Sequence, residues 1–225
     1  MVAKVITVFN QKGGCGKTTV SMHVAGTLGL RGHRVLVVDM DEQGTATRWA
    51  SQAPDESPFP ATLSNLAAMG GKMHREIRSQ IENYDYIVID CPPAVHSPSP
   101  SSAMLVSDLA LIPVVPAPAD MWAVVAAKQL AFHAQATNEV LQVRLVPNMV
   151  QKNTTLARET LDVLSEDTEI PLAVARLGSR SAYRECQLLG ATVHKISRAR
   201  DAISEVESLV DEALTLLSER RIHEH

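Results

Sequence analysis

Apolar and polar positions fall in blocks that predict alternating strands and helices. Val5-Ile6-Thr7-Val8-Phe9 is a nearly unbroken apolar run of strand length. Behind it Val20, Val24, Ala25 and Leu28 recur at helical spacing, and Arg31-Gly32 supplies a helix end. Val35-Leu36-Val37-Val38 is the next apolar run and stops at Asp39. Residues 52–62 carry Pro54, Pro58 and Pro60 and predict a loop, followed by a polar helix over about 73–82. Tyr86-Ile87-Val88-Ile89-Asp90 reads as a buried strand ending in a carboxylate, and Leu109 to Pro116 as a strand punctuated by proline. A helix is predicted from Met121 to about Ala134, a strand over Gln142 to Val146, and an amphipathic helix over Thr154 to Glu166. From Asp201 to about Arg221, Ile203, Val206, Leu209, Val210, Leu214 and Leu217 again keep helical spacing. Such alternation predicts one α/β domain over residues 1–225. Its sheet is mostly parallel, helices cover both faces, and ligands bind at the carboxyl ends of the strands.

Composition narrows the class. Hydrophobic residues make up 45% of the 225 positions, enough for a substantial core. Aromatics are only 4%, so aliphatic side chains must fill that core and no aromatic platform for stacking bases is expected. The net charge of −4 carries no global sign of a nucleic-acid partner. Cys15, Cys91 and Cys186 are an odd, widely spaced set, which predicts reduced thiols and a cytoplasmic setting rather than a disulfide framework. No signal peptide is evident. The long apolar region from Leu105 to Phe132 is interrupted by Asp108, prolines, Asp120 and Lys128, so it does not read as a membrane span.

The chemistry concentrates behind the first strand, in Lys12-Gly13-Gly14-Cys15-Gly16-Lys17-Thr18-Thr19. A glycine-rich turn between a strand and a helix lets backbone amides approach phosphate oxygens, and the helix N-terminus adds partial positive charge there. Lys17 brings a full charge to the terminal phosphates, and the Thr18 hydroxyl can ligate Mg²⁺. Gln11 stands where the common phosphate loop has its first glycine, and Lys12 is a second lysine. In these features the chain resembles the deviant Walker-type ATPases of the ParA/MinD family. The resemblance implies ATP and Mg²⁺ as cofactors and a homodimer with ATP sandwiched at its interface, Lys12 reaching the nucleotide of the second subunit. Asp39-Met40-Asp41-Glu42-Gln43 is similar to the family's D-x-D-P-Q, with Glu42 in place of proline. It implies that Asp39 supports the Mg²⁺ shell and that Asp41 orients the attacking water. Asp90 matches the Walker B carboxylate and implies an Mg²⁺ contact through water. The Cys91-Pro92-Pro93 that follows resembles the family's γ-phosphate sensor, with Cys91 read as small-residue packing rather than an iron–sulfur ligand. Asn148, behind a strand, is implied as the adenine reader, and Asp120 reads as a helix N-cap with an interface role left open. The histidines, His23 among them, are scattered without metal-ligand spacing.

Charge is uneven toward the end. Residues 176–200 hold Arg176, Arg180, Arg184, Lys195, Arg198 and Arg200 against Glu185 alone. The passage around Arg180 to Val193 resembles ParA-type partition ATPases, which implies binding to non-specific double-stranded DNA by phosphate neutralisation. The acidic polar face of the last helix, with Asp201, Glu205, Glu207, Asp211 and Glu212, opposes an anionic bilayer, so that helix is expected to pack on the domain. The resemblance thus implies a nucleoid-associated ATPase that segregates a plasmid or chromosome. Hydrolysis is expected to be slow until a ParB-type or other cargo adaptor stimulates it. Carboxysome and chemoreceptor positioning ATPases look much the same. A membrane-cycling positioning ATPase and a metabolic phosphate-loop enzyme are the competing classes.

Overall fold

The computed structural model describes residues 2–93, 97–151, 154–166 and 168–219. Strand β1 (Lys4–Val8) enters the loop that leads to helix α1 (Lys17–Leu30). Then come β2 (Val35–Asp39), α2 (Thr45–Ser51), β3 (Thr62–Asn65), α3 (Met73–Gln80), β4 (Tyr86–Asp90) and α4 (Ser99–Met104). The second half runs β5 (Leu109–Val114), α5 (Met121–Gln135), β6 (Gln142–Pro147), α6 (Thr155–Ser165), α7 (Ser181–Leu189) and α8 (Arg200–Glu219). The predicted end of the last helix at Arg221 lies outside the described residues.

All six strands join one sheet in the order β3-β2-β4-β1-β5-β6, and every pairing is parallel. Alternation within each strand feeds two cores. Ile6 and Val8 of β1 pack with Val20, Val24 and Leu28 of α1 and with α8, whereas Val5 packs with Ile77 of α3 and Val124 of α5 on the other face. The single-domain α/β sandwich expected from the sequence is therefore observed, with α1, α2, α7 and α8 on one face and α3 to α6 on the other.

Four elements were not legible beforehand. Strand β3 is short, polar and at the sheet edge, so it has no apolar run to announce it. Helices α2 and α4 are too short for periodicity to register. Helix α7 lies in the basic segment, where charge obscured the buried trio Ala182, Tyr183 and Cys186.

Parallel register decides the site. Asp39 at the end of β2 pairs with Asp90 at the end of β4, and Val8 at the end of β1 pairs with Asp90 from the other side. The glycine loop therefore leaves the sheet next to two carboxylates. Residues after α6 run along β6, through Leu145 N to Pro171 O and Leu177 N to Pro147 O, and carry the start of the basic segment, Arg176 to Arg180, to the same end of the sheet, whereas Lys195 lies near Leu30 at the far end of α1.

Candidate functional site

The loop after β1 is shaped by two left-handed glycines, Gly14 at φ 77° and Gly16 at φ 89°. A side chain on Gly16 would also collide with the Asn148 amide. Neighbours hold the loop from both sides. Asn10 donates to Pro113 O at 2.8 Å and accepts from Lys12 N at 3.0 Å. Asn148 Nδ2 donates to Cys15 O at 2.7 Å, while its backbone N–H donates to Val114 O. Lys17 Nζ folds back to Lys12 O at 3.0 Å and is almost fully buried. Above Gly13 and Gly14 the space is open, and no side chain caps the first turn of α1. Uncapped amides at the start of a 14-residue helix, beside a lysine, suit the phosphates of a nucleotide.

Behind the loop the two strand-end aspartates are both 0% exposed. Asp90 accepts from Thr18 Oγ1 at 2.8 Å and from Ser21 Oγ at 2.9 Å. Burial pushes its carboxyl up to about 7, and the charge of Asp39 acts in the same direction, against the two hydroxyls and Lys17. Asp39 accepts from Asp41 N at 3.1 Å, from Thr47 N at 2.9 Å and from Thr47 Oγ1 at 2.8 Å. Two buried carboxylates and a threonine hydroxyl are an oxygen donor set that suits Mg²⁺, which would relieve their mutual repulsion. Asp41 is half-buried, accepts from Gln43 N at 2.9 Å, and lines a cavity of about 510 Å³ with Pro92, Pro93 and Pro98. Asn10, Ser21 and Thr47 were missed by sequence reasoning. Ser21 had a signal, since it lies three residues after Thr18 on the same helical face.

Several expectations change. Asp120 sits at the N-cap position of α5, yet its side chain makes no capping bond and instead pairs with Lys12 of the same chain. The acidic residues of α8 are not a free polar face. Glu212 accepts from Val174 N and Ala175 N, Arg31 is held by Glu207 and Asp211, and Glu205 takes Gly178 N. The expected packing of α8 on the domain is observed, with Val206, Leu209 and Val210 in the core. Cys91 and Cys186 lie in opposite cores, and burial raises both thiols, Cys186 to about 12. In the basic segment Arg176, Arg184, Arg198 and Arg200 are exposed, Lys195 donates to Ser57 Oγ, and Arg180 is bound by Glu205 and Asp201. Among the described residues no helix is long and apolar enough to cross a membrane.

Comparison with known proteins agrees with this geometry. Residues 6–198 match the model of the CobQ/CobB/MinD/ParA nucleotide binding domain. The "Maintenance of carboxysome distribution protein A" of Halothiobacillus neapolitanus is 30% identical over 210 residues, covering 93% of this chain and 95% of that one. The ATP complex of a McdA variant from Cyanothece superposes with a TM-score of 0.76 at 16% identity, over 95% of this chain and 96% of that one. Cobyrinic acid a,c-diamide synthase from Mycobacterium smegmatis, with a bound ATP analogue and magnesium, superposes with a TM-score of 0.71 at 23% identity, over 82% and 92% of the two chains.

Proposed function

The chain belongs to the CobQ/CobB/MinD/ParA nucleotide-binding family, and from that premise we propose that it is an ATPase that dimerises around two ATP molecules and positions a cargo on DNA. One observation carries the reading: Thr18 of the uncapped glycine loop donates to Asp90, which lies beside Asp39 in a site with no solvent exposure at either carboxylate. Lys17 and the loop from Gly13 to Thr19, Cys15 included, hold the phosphates. Thr18, Asp39 and Asp90 hold Mg²⁺ directly or through water, and that ion, when bound, neutralises phosphate charge. Asp41 orients water toward the terminal phosphate. Asn148, 2% exposed with its Nδ2 on Cys15 O, reads the adenine edge once its amide turns from the loop. Lys12, held by Asp120 in the single chain, turns to the second subunit's nucleotide on dimerisation.

The exposed arginines of residues 176–200, with Lys195, are the DNA contacts, and a dimer doubles them. The Halothiobacillus relative, named for carboxysome distribution, supports a carboxysome-like cargo as an alternative to a plasmid or chromosome. An adaptor on that cargo, ParB-type or otherwise, stimulates hydrolysis, and turnover of the chain alone is slow. Because the apolar face of α8 lies in the core and its carboxylates are tethered inward, that helix offers no amphipathic face for a bilayer.

The deciding experiment is binding to non-specific duplex DNA with no nucleotide, with ADP and with a slowly hydrolysed ATP analogue, across a salt series. Binding confined to the triphosphate, and weakening steeply with salt, is expected. Equal binding in all three states removes the switch. No binding in any state removes DNA and returns a metabolic enzyme to the front.

A further inference from the structure

Arg180 is the candidate DNA contact that the fold has closed off with carboxylates. Its guanidinium forks onto Glu205, with Nη2 at 2.7 Å from Oε1 and Nε at 3.0 Å from Oε2, and its Nη1 lies 3.0 Å from Asp201 Oδ2. The Arg180 side chain is 26% exposed, so it can swing to solvent without crossing the core. Glu205 would not be stranded by that move. It also takes Gly178 N at 2.9 Å and the Tyr183 hydroxyl at 3.2 Å, two donors that stay when the arginine leaves. Asp201, with 69% of its side chain exposed, returns to water. The arrangement is a clasp with two satisfied positions.

Side chains connect this clasp to the glycine loop. The Tyr183 ring meets His23 edge-on, with centroids 5.1 Å apart and planes at 83°. His23 is 0% exposed, and its Nδ1 bonds Thr19 O, in the first turn of α1, at 2.8 Å. His23 also meets Trp49 of α2, the helix entered from the Asp39–Asp41 loop, at 5.4 Å. Its Nε2 is buried without a hydrogen-bond partner, a penalty that an apolar ring in the same space would not carry. A ring bonded to the Thr19 carbonyl must follow that turn, whereas an apolar ring need not.

We propose that Arg180 is a DNA contact held in reserve by Glu205 and Asp201, and that the His23–Tyr183 contact ties this clasp to the first turn of the nucleotide-loop helix. Triphosphate binding rearranges that turn and frees Arg180. The inference rests on the reading of residues 176–200 as a DNA face.

The test uses the full chain and a non-specific duplex in a salt series, with ADP and with the slowly hydrolysed analogue. The Asp201→Asn/Glu205→Gln double variant should bind DNA in the ADP state about tenfold more tightly than wild type. Its salt slope should steepen by about 0.9 per chain, the value of one added phosphate contact. Adding Arg180→Ala to that variant should cancel the gain, which a general loss of negative charge would not do. His23→Phe should narrow the ratio of DNA affinities between the two nucleotide states toward one. Wild-type ratios and slopes in these variants, or a gain that survives Arg180→Ala, overturn the clasp while leaving the DNA reading intact. A wild type that binds no DNA in either state overturns both. If Glu205→Gln melts well below wild type, Asp201→Asn alone carries the test, with a gain of about threefold expected and an unchanged affinity counting against the clasp.

Discussion

The glycine loop and the start of the basic segment reach the same end of the sheet, but the charged groups of the two regions behave oppositely. Around the loop, Lys17, Asp39 and Asp90 are almost free of solvent contact, and half-buried Thr18 bonds Asp90. In residues 176–200 four arginines point to solvent, while Arg180 is bound by acids that the sequence places on a different helix. A run of positive charge in a sequence counts side chains; it does not say which of them remain available. Spacing within a strand–loop–helix unit, by contrast, constrains geometry directly.

If the loop is a convergent site, one substitution should disable it. Lys17→Ala removes the charge nearest the phosphates and should weaken nucleotide binding by about a hundredfold, since charged hydrogen bonds contribute roughly 1.5–3 kcal/mol. Titration with a fluorescent nucleotide checks this, and a loss under threefold would dissolve the contrast.

The bridge between the two regions comes next. Burial, opposed in part by the Thr19 carbonyl, pushes His23 down to about 4, below its ordinary 6.5. The unfolded chain binds that proton below pH 6.5 and the folded chain does not, so stability is full above pH 6.5 and falls as pH drops toward 4. The loss from this group amounts to about 3 kcal/mol. His23→Phe should flatten that part of the profile in denaturant unfolding between pH 4.5 and 7.

Smaller effects are expected where charges meet solvent. Asp120→Asn breaks the pair with Lys12, whose side chain is 41% exposed, and should lower stability by less than about 1 kcal/mol. A shift in unfolding midpoint corresponding to several kcal/mol would make that pair part of the core instead. Arg184→Ala should leave stability unchanged and weaken DNA binding only a few-fold, with a salt slope shallower by about 0.9 per chain. A loss as large as that of Lys17→Ala would make the basic face as convergent as the loop.

Much of the site was readable before the structure. Strand β4 has the predicted limits Tyr86–Asp90, and the carboxylates Asp39 and Asp90 close neighbouring strands as their apolar runs implied. Asn10 and Thr47 were not readable. Each acts through a polar bond to a partner chosen by the chain's path, Pro113 for one and Asp39 for the other, and neither sits in a periodic pattern. Asp120 shows the limit most plainly: its position before a helix predicted a cap, but Lys12, 108 residues away, lies within reach and takes the carboxylate.

What the amino-acid sequence determined by itself is the order of the longer apolar strands and helices, the glycine turn and the residues mounted on it. Apolar periodicity and glycine backbone freedom act over a few residues and need no distant partner. Tertiary structure alone decided which charges face one another. An ion pair depends on two side chains from separate elements arriving within about 3–4 Å, and that is set by how α8 packs beside α7 and how α5 meets the loop.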